Sequence, residues 1–445
     1  MADDHAHERV EDGASARPYR PVPGSGGHLG QVVAGSLATG LLAAVLLVAV
    51  PFLPPTEAGV TGAVLCGLAL GWAMLAGLSV RFTDQPQAWA VAPALFLGLS
   101  GLLLLAFGPS VHEVLTWVWP PVVLTLVVWM FVRTRRQVRA RSARLLLYPV
   151  LVALALASIG GGYQTVRDAA EARASAMPGR LIDVGGHRLH LSCTGSGSPT
   201  VVLEPGAGGI SADLEAVTRA VAGDTRVCVY DRAGRGWSEP ADTRQDATQI
   251  ATDLHTLLHR ADVPGPYVLA GHSFGGLYTL TFAARFPDEV AGMVLVDSTA
   301  PASAAGMQAL PPGGPASDDL TARFSALAST AARLGLGRLV GVPTADHLRS
   351  TIDEYAQTAA STEQAALLRS FADKPLVVLT AGSGSSADWL AKQDALATLS
   401  TATDHRVVEG IDHPGMIAEG KGAAATARAI VDVVSSVRTA QPGTG

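Results

Sequence analysis

The sequence predicts two regimes in one chain: an all-α transmembrane domain of about five helices, then an α/β domain with a mostly parallel sheet. Three observations predict this. The 445 residues are 48% apolar and only 16% charged, with mean hydropathy +0.30, too apolar for an ordinary soluble protein of this length. Long uncharged stretches are confined to the first third. From about residue 179 short β-branched runs alternate with helical stretches, the pattern of βαβ units.

Stretches 32–53, 58–80, 88–107, 114–132 and 145–162 each run about 18 residues or more without a charged side chain, enough to span a hydrocarbon core. They are apolar all round, whereas core helices of soluble proteins keep a polar face. Pro120 and Pro121 fall inside the fourth, where a kink is tolerated if neighbouring groups satisfy the freed carbonyls. Arginine placement sets the orientation, because positive charges near a span stay cytoplasmic. Arg17 and Arg20 precede span one, Arg81 follows span two, and Arg133, Arg135, Arg136, Arg139, Arg141 and Arg144 follow span four, while loops 54–57 and 108–113 carry no Arg or Lys. The expected topology is a cytoplasmic tail (1–28), a five-helix membrane domain (29–162), a linker (163–178), an extracytoplasmic catalytic domain (179–437) and a tail (438–445). No charged side chain lies within the spans, so the default role of the bundle is an anchor in the lipid bilayer.

Net charge −6 offers no basic footprint, which excludes nucleic acid as a partner. Cys66, Cys193 and Cys228 show no C-x-x-C or Cys/His ligand spacing, so no structural metal is expected.

Candidate strands in the second regime are 181–184, 187–193, 200–204, 226–230, 267–270, 293–296, 376–380 and 405–408; the last six are nearly continuous apolar runs, as in strands covered on both faces. Candidate helices include 212–221, 246–259, 276–285 and 424–437. Ligands of such sheets bind beyond the strands' carboxyl ends. There the sequence reads Glu204-Pro205-Gly206-Ala207-Gly208-Gly209, then Asp231-Arg232-Ala233-Gly234-Arg235-Gly236-Trp237-Ser238, then Gly271-His272-Ser273-Phe274-Gly275-Gly276.

Gly271-x-Ser273-x-Gly275 is the nucleophile-elbow pattern, in which glycines permit a sharp strand-to-helix turn that exposes the serine hydroxyl. Alone it is weak in a chain with 48 glycines. Its position between an apolar strand and a helix gives it weight, and Ser273 is the expected nucleophile. One oxyanion donor is then the N–H of Phe274; the second comes from the Gly206-Ala207 turn, with Ala207 favoured. The base is a histidine late in the chain. His413 follows the last strand, whereas His405 begins that strand and His272, beside the serine, points elsewhere in an elbow.

This ordered set of strand ends resembles the α/β-hydrolase superfamily over about 179–437, closest to members with a Tyr-Asp-Arg-Ala-Gly-x-Gly-Trp-Ser loop, here Tyr230 to Ser238. The resemblance implies an eight-stranded sheet, hydrolysis of esters or related acyl bonds, no cofactor, and a helical cap after the sixth strand, for which 299–373 is the candidate, with helical patterning over 319–339 and 345–371. It also makes Cys193 and Cys228 neighbours in the sheet and disulfide candidates. Two departures stand out. Where many members carry their acid after the seventh strand, this chain has Gly382-Ser383-Gly384-Ser385, and Pro205 replaces the usual His before the oxyanion glycine. Two carboxylates therefore compete as triad acid: Asp297, ending the sixth strand, and Asp388, whose place also suits a helix N-cap. Asp297 is favoured.

The expected function is a membrane-anchored serine hydrolase that cleaves a small-molecule carboxylic ester or related acyl compound through an acyl-enzyme. Acyl transfer would use the same triad, and a sensor that only binds ligand is the non-enzyme alternative. Epoxide hydrolysis and dehalogenation need a carboxylate at the elbow, where this chain has Ser273.

Overall fold

The computed structural model describes residues 28–174, 176–241, 243–301, 315–334, 344–418 and 420–440. Five helices come first: α1 (His28–Val48), α2 (Glu57–Phe82), α3 (Val91–Phe107, after a 3-10 turn over Ala88–Ala90), α4 (Pro109–Gln137) and α5 (Arg141–Ala174). All five regions are long and apolar enough to cross a membrane. Arg17 and Arg20 lie outside the described residues. α1 and α2 cross at small residues: a Cβ on Gly67 would sit 2.2 Å from the Ala44 nitrogen, the close backbone approach that small-xxx-small spacing permits. The Ser158 hydroxyl on α5 donates to the Pro120 carbonyl at 2.5 Å and ties α5 to α4.

One boundary differs from expectation. The segment read as a linker, 163–178, is helical to Ala174 as the end of α5. Residues 164–174 hold neither Gly nor Pro and are rich in Ala, with Arg167, Glu171 and Arg173 beside them, residue types that favour helix.

The second region begins with β1 (Arg180–Asp183), β2 (Arg188–Thr194), β3 (Thr200–Glu204), α6 (Glu215–Val221), β4 (Val227–Tyr230), α7 (Ala247–Arg260), β5 (Tyr267–His272), α8 (Gly275–Arg285) and β6 (Val290–Val296). The cap follows as α9 (Pro315–Arg333), α10 (Ala345–Ala356) and α11 (Thr358–Ala365), then β7 (Leu376–Ala381), α12 (Ala387–Ala397), β8 (Thr403–Val408) and α13 (Lys421–Ala440). The eight strands form one sheet in the order β1-β2-β4-β3-β5-β6-β7-β8. β1 and β2 pair antiparallel, β2 meets β4 antiparallel, and β3 to β8 run parallel.

Alternate side chains of the central strands feed opposite layers. Val202 and Leu269 join α7 and α8 on one face, while Val201, Leu203 and Val268 join α6 and α13 on the other. Each such side chain, once fully buried, stabilises the fold by about 1.5–3 kcal/mol. β8 departs from the two-sided burial expected of it. It is the sheet edge, and only Val408 is buried, since nothing pairs beyond it. Cys193 and Cys228 face each other across β2 and β4 and are disulfide-bonded.

In the cap, the helix expected over 345–371 is two helices. At the break the Thr358 hydroxyl donates to the Tyr355 carbonyl at 2.7 Å, a local side-chain bond that competes with helix continuation. The expected helix 319–339 is described to residue 334. Its remainder, like parts of the cap at 302–314 and 335–343, lies outside the described residues.

Candidate active site

The carboxyl ends of β3, β5 and β6 converge because these strands are adjacent and parallel. Between β5 and α8 the chain reverses at Ser273, which has φ +56°. That conformation is sparsely populated for a residue with a side chain and marks functional turns. Its neighbours must be glycine: a Cβ on Gly271 would meet the Gly275 carbonyl oxygen at 2.5 Å, and one on Gly275 would meet the Glu204 carbonyl oxygen at 2.4 Å. Among the described residues, neither the Ala207 nor the Phe274 backbone N–H donates to a protein acceptor. Both flank the serine, Phe274 by sequence and Ala207 through the Gly206 turn, where a Cβ would stand 3.0 Å from the Ser273 Cβ.

His413 follows β8 and reaches Asp297. Its Nδ1 lies 2.5 Å from Asp297 Oδ2, so the proton sits on Nδ1 and Nε2 carries the lone pair. The other carboxylate oxygen accepts from the Ala381 N–H at 3.1 Å and the Trp389 indole at 2.8 Å. Burial opposes ionisation of Asp297, but the bonds from His413, Trp389 and Ala381 outweigh it and hold its carboxyl below the ordinary carboxylate value. Asp388 is not near this group in the hydrogen-bond pattern. It is exposed and pairs with Lys392 at 2.6 Å. Nor is it the N-cap: Ser386 fills that place and accepts from the Trp389 N–H. The Gly382–Ser385 turn, without a carboxylate, instead tethers the histidine loop, with the Ser383 N–H donating to the Ile411 carbonyl at 2.9 Å.

Two histidines compete with His413 by sequence. His405 is taken by Thr380 and Asp394. His272 departs from the expectation that it points elsewhere: its ring stacks on that of His413 with centroids 4.6 Å apart, and its Nε2 donates to the His413 carbonyl at 3.1 Å. Burial, reinforced by the adjacent His413, pushes His272 from 6.5 down to about 4, so it is a neutral shelf at physiological pH.

Sequence reasoning missed the support behind the Gly206 turn. Arg232 donates to the carbonyls of Pro205 at 2.8 Å and Gly206 at 2.6 Å and to the Glu204 carboxylate at 2.5 Å. Glu354, from α10 of the cap, accepts from Arg232, Tyr278, Arg235 and the Gly208 N–H at 3.1, 2.6, 2.6 and 2.8 Å. Burial opposes the Glu354 charge, but Arg232 and Arg235 hold its carboxyl below the ordinary value. The Tyr230–Ser238 loop is organised by Asp231, which accepts from the N–H groups of Ser211 and Trp237 and pairs with His190 at 2.8 Å. A Cβ on Gly236 would collide with that carboxylate at 2.3 Å, so the motif's glycine is required by the aspartate beside it. No sequence period points to Glu354.

Among the described residues one group could hold a metal ion, His255, His259 and Glu289. Its signal was the i, i+4 histidine spacing on α7. It lies before β6, at the sheet edge opposite the carboxyl ends, and takes no part in the arrangement around Ser273.

Residues 199–350 match the family model described as alpha/beta hydrolase fold. The second region has the alpha/beta hydrolase fold. An uncharacterised protein of Schizosaccharomyces pombe is 36% identical over 155 residues, which cover 28% of this chain and 29% of that protein. A 2-(acetamidomethylene)succinate hydrolase of Mesorhizobium japonicum is 31% identical over 120 residues, 27% of this chain and 42% of that enzyme. The chain thus spans less than half the length of these relatives. A thermophilic esterase from Thermogutta terrifontis aligns with a TM-score of 0.44 and 18% identity, covering 56% of this chain and 94% of the esterase. This fold follows five helices long and apolar enough to cross a membrane.

Proposed function

We propose that this protein is a membrane-anchored serine hydrolase that cleaves a carboxylic ester or related acyl bond of a small molecule through an acyl-enzyme on Ser273. The observation that carries the reading is the His413–Asp297 hydrogen bond at the same strand ends as the left-handed Ser273 turn. In this reading His413 Nε2 takes the hydroxyl proton as Ser273 Oγ attacks the acyl carbon. Asp297 fixes the tautomer and stabilises the imidazolium. The oxyanion meets the N–H groups of Phe274 and Ala207, which have no other protein acceptor among the described residues. Collapse breaks the acyl–oxygen bond, and His413 returns the proton to the leaving alcohol. Water, deprotonated by the same imidazole, then releases the acid and restores Ser273. An acyl acceptor in place of water would make the enzyme a transferase, with the same residues in the same roles.

The proposed organisation keeps a cytoplasmic N-terminus and an extracytoplasmic hydrolase domain beginning near residue 179, with its cap within 299–373. The arginines at 133–144 support that orientation. Alkaline phosphatase fused after Tyr163 is expected to be active and fused near Arg139 inactive; the opposite pattern refutes the topology. For the chemistry, a fluorophosphonate probe is expected to label Ser273, and Ser273→Ala is expected to abolish labelling and nearly all esterase activity while the protein stays folded. Wild-type turnover in that variant would remove Ser273 from the mechanism.

A further inference from the structure

Helix α9 buries polar side chains beside the small Ala326 and Ala332 and leaves its large apolar ones bare. Arg323, Ser325 and Ser329 are buried, while Leu320, Phe324 and Leu327 are 64%, 64% and 41% exposed. The three apolar residues follow an i, i+4, i+7 spacing and share one face. A helix facing water has the reverse pattern.

The buried polar face is spent on the membrane domain. Arg323 donates to the carbonyls of Val48, the last residue of α1, and Leu53, just past it, at 2.7 and 2.9 Å. Ser329 donates to Glu57 at the start of α2 at 2.8 Å, and Arg333 pairs with Glu57 and, at 3.0 Å, with Asp346 of α10. Thr330 meets Thr61, in the second turn of α2, at 2.8 Å. A Cβ on Gly160 of α5 would stand 2.3 Å from the Leu334 carbonyl oxygen. These contacts set α9 against the end of α1, the start of α2 and the Gly160 stretch of α5, away from the arginine cluster that joins α4 to α5, level with the first turns of a spanning helix. The spans are bare and apolar too: Leu42 and Leu46 of α1 are 58% and 59% exposed, and Phe52, in the turn whose Leu53 carbonyl Arg323 holds, is 86% exposed. The occupant of such a face is the headgroup and acyl boundary of a bilayer.

The same cap overhangs the serine. α10 packs against α9 and carries Glu354 to the Gly208 N–H. The next residue, Tyr355, is 58% exposed and meets Phe274 edge-on with ring centroids 5.6 Å apart.

We propose that α9 lies in the bilayer interface through Leu320, Phe324 and Leu327, and that the substrate is the acyl ester of a membrane lipid, delivered from the leaflet to Ser273 past Phe274 and Tyr355. This rests on Ser273 being the acyl-forming nucleophile. Each methylene of an acyl chain resists transfer into water, so a route that keeps the chain against apolar side chains favours lipid esters over soluble ones. The bond that forms is Ser273 Oγ to acyl carbon and the bond that breaks is the lipid's ester C–O. The lipid alcohol leaves with the proton from His413, and water then yields the fatty acid.

The test uses the full chain in phosphatidylcholine vesicles doped with a fluorogenic acyl-ester lipid, beside aqueous p-nitrophenyl acetate. Combined Leu320→Ser, Phe324→Ser and Leu327→Ser substitutions are expected to lower vesicle-ester turnover about tenfold or more, with p-nitrophenyl acetate hydrolysis and fluorophosphonate labelling unchanged. Equal loss on both esters, or no loss on the vesicle ester, overturns the proposal. So does a wild type that cleaves p-nitrophenyl acetate but not the vesicle lipid, an outcome that leaves the proposed esterase standing. Failure of wild-type labelling would instead sink the nucleophile. Independently, a nitroxide on Phe324→Cys in a Cys66→Ser background is expected to collide more with oxygen than with a water-soluble nickel chelate; the reverse ranking also overturns the proposal.

Discussion

Two groups of ionisable side chains flank Ser273, and they are built in opposite ways. On one side stand Asp297 and His413, a single buried carboxylate and an imidazole whose side chain is 41% exposed. On the other stand Glu204, Arg232, Arg235 and Glu354, all at most 4% exposed, with every Glu354 acceptor site occupied. A group that must gain and lose a proton needs one free face. A group that must keep a backbone amide aimed needs none. In the proposed function the first pair does the chemistry, while the second is a closed clamp that links α10 to the loop carrying Ala207.

The comparison predicts different losses on the two sides. Asp297→Asn is expected to cut kcat about 10³–10⁴-fold, as loss of a triad carboxylate does, with the fold intact, whereas Asp388→Asn is expected to cost at most about tenfold. Steady-state kinetics with p-nitrophenyl esters decides it, and the reverse ranking moves the acid to Asp388. On the clamp side, Glu354→Ala takes from the buried Arg235 guanidinium its carboxylate partner and leaves Arg232 only Glu204, and it is expected to destabilise the second region by about 3–5 kcal/mol, read as a lower unfolding midpoint in detergent. Glu354→Gln, which keeps the side chain's shape but only one of its two accepting oxygens, is expected to fall between it and the wild type. An alanine variant as stable as the wild type would remove the clamp.

The smallest expected effect concerns His272. Its folded value of about 4 lies below its ordinary 6.5, so the unfolded chain binds the proton more readily. Its contribution is therefore fully present above about pH 6.5 and is lost as pH falls toward 4, by at most about 3 kcal/mol. Melting of wild type and His272→Asn across that window is expected to show a shallower acid slope in the variant. Parallel slopes would mean that the stacked imidazole is protonated as easily folded as unfolded.

How far these features are legible before folding depends on their reach along the chain. The five spans, the eight strands and the Gly271–Gly275 elbow are local patterns of hydropathy, β-branching and glycine, and each needs only its own neighbourhood. The end of α5 is not legible from hydropathy, because helix formers over 164–174 carry the helix beyond the apolar stretch.

What the sequence alone determined is therefore the order of elements and the residue types at each strand end: a serine between glycines, a histidine after the last strand, and two carboxylates left in competition. Tertiary structure decided between the partners. Asp297, 116 residues from His413 in the chain, reaches it because β6 and β7 are adjacent and Trp389 and Ala381 complete its hydrogen bonds, while Asp388 turns to Lys392. Only the fold brings Glu354 to Gly208, 146 residues away, and turns the polar face of α9 toward Glu57. Periodicity records which face of an element is apolar. Which neighbour that face meets, water, protein or lipid, is fixed by packing between segments that share no local pattern.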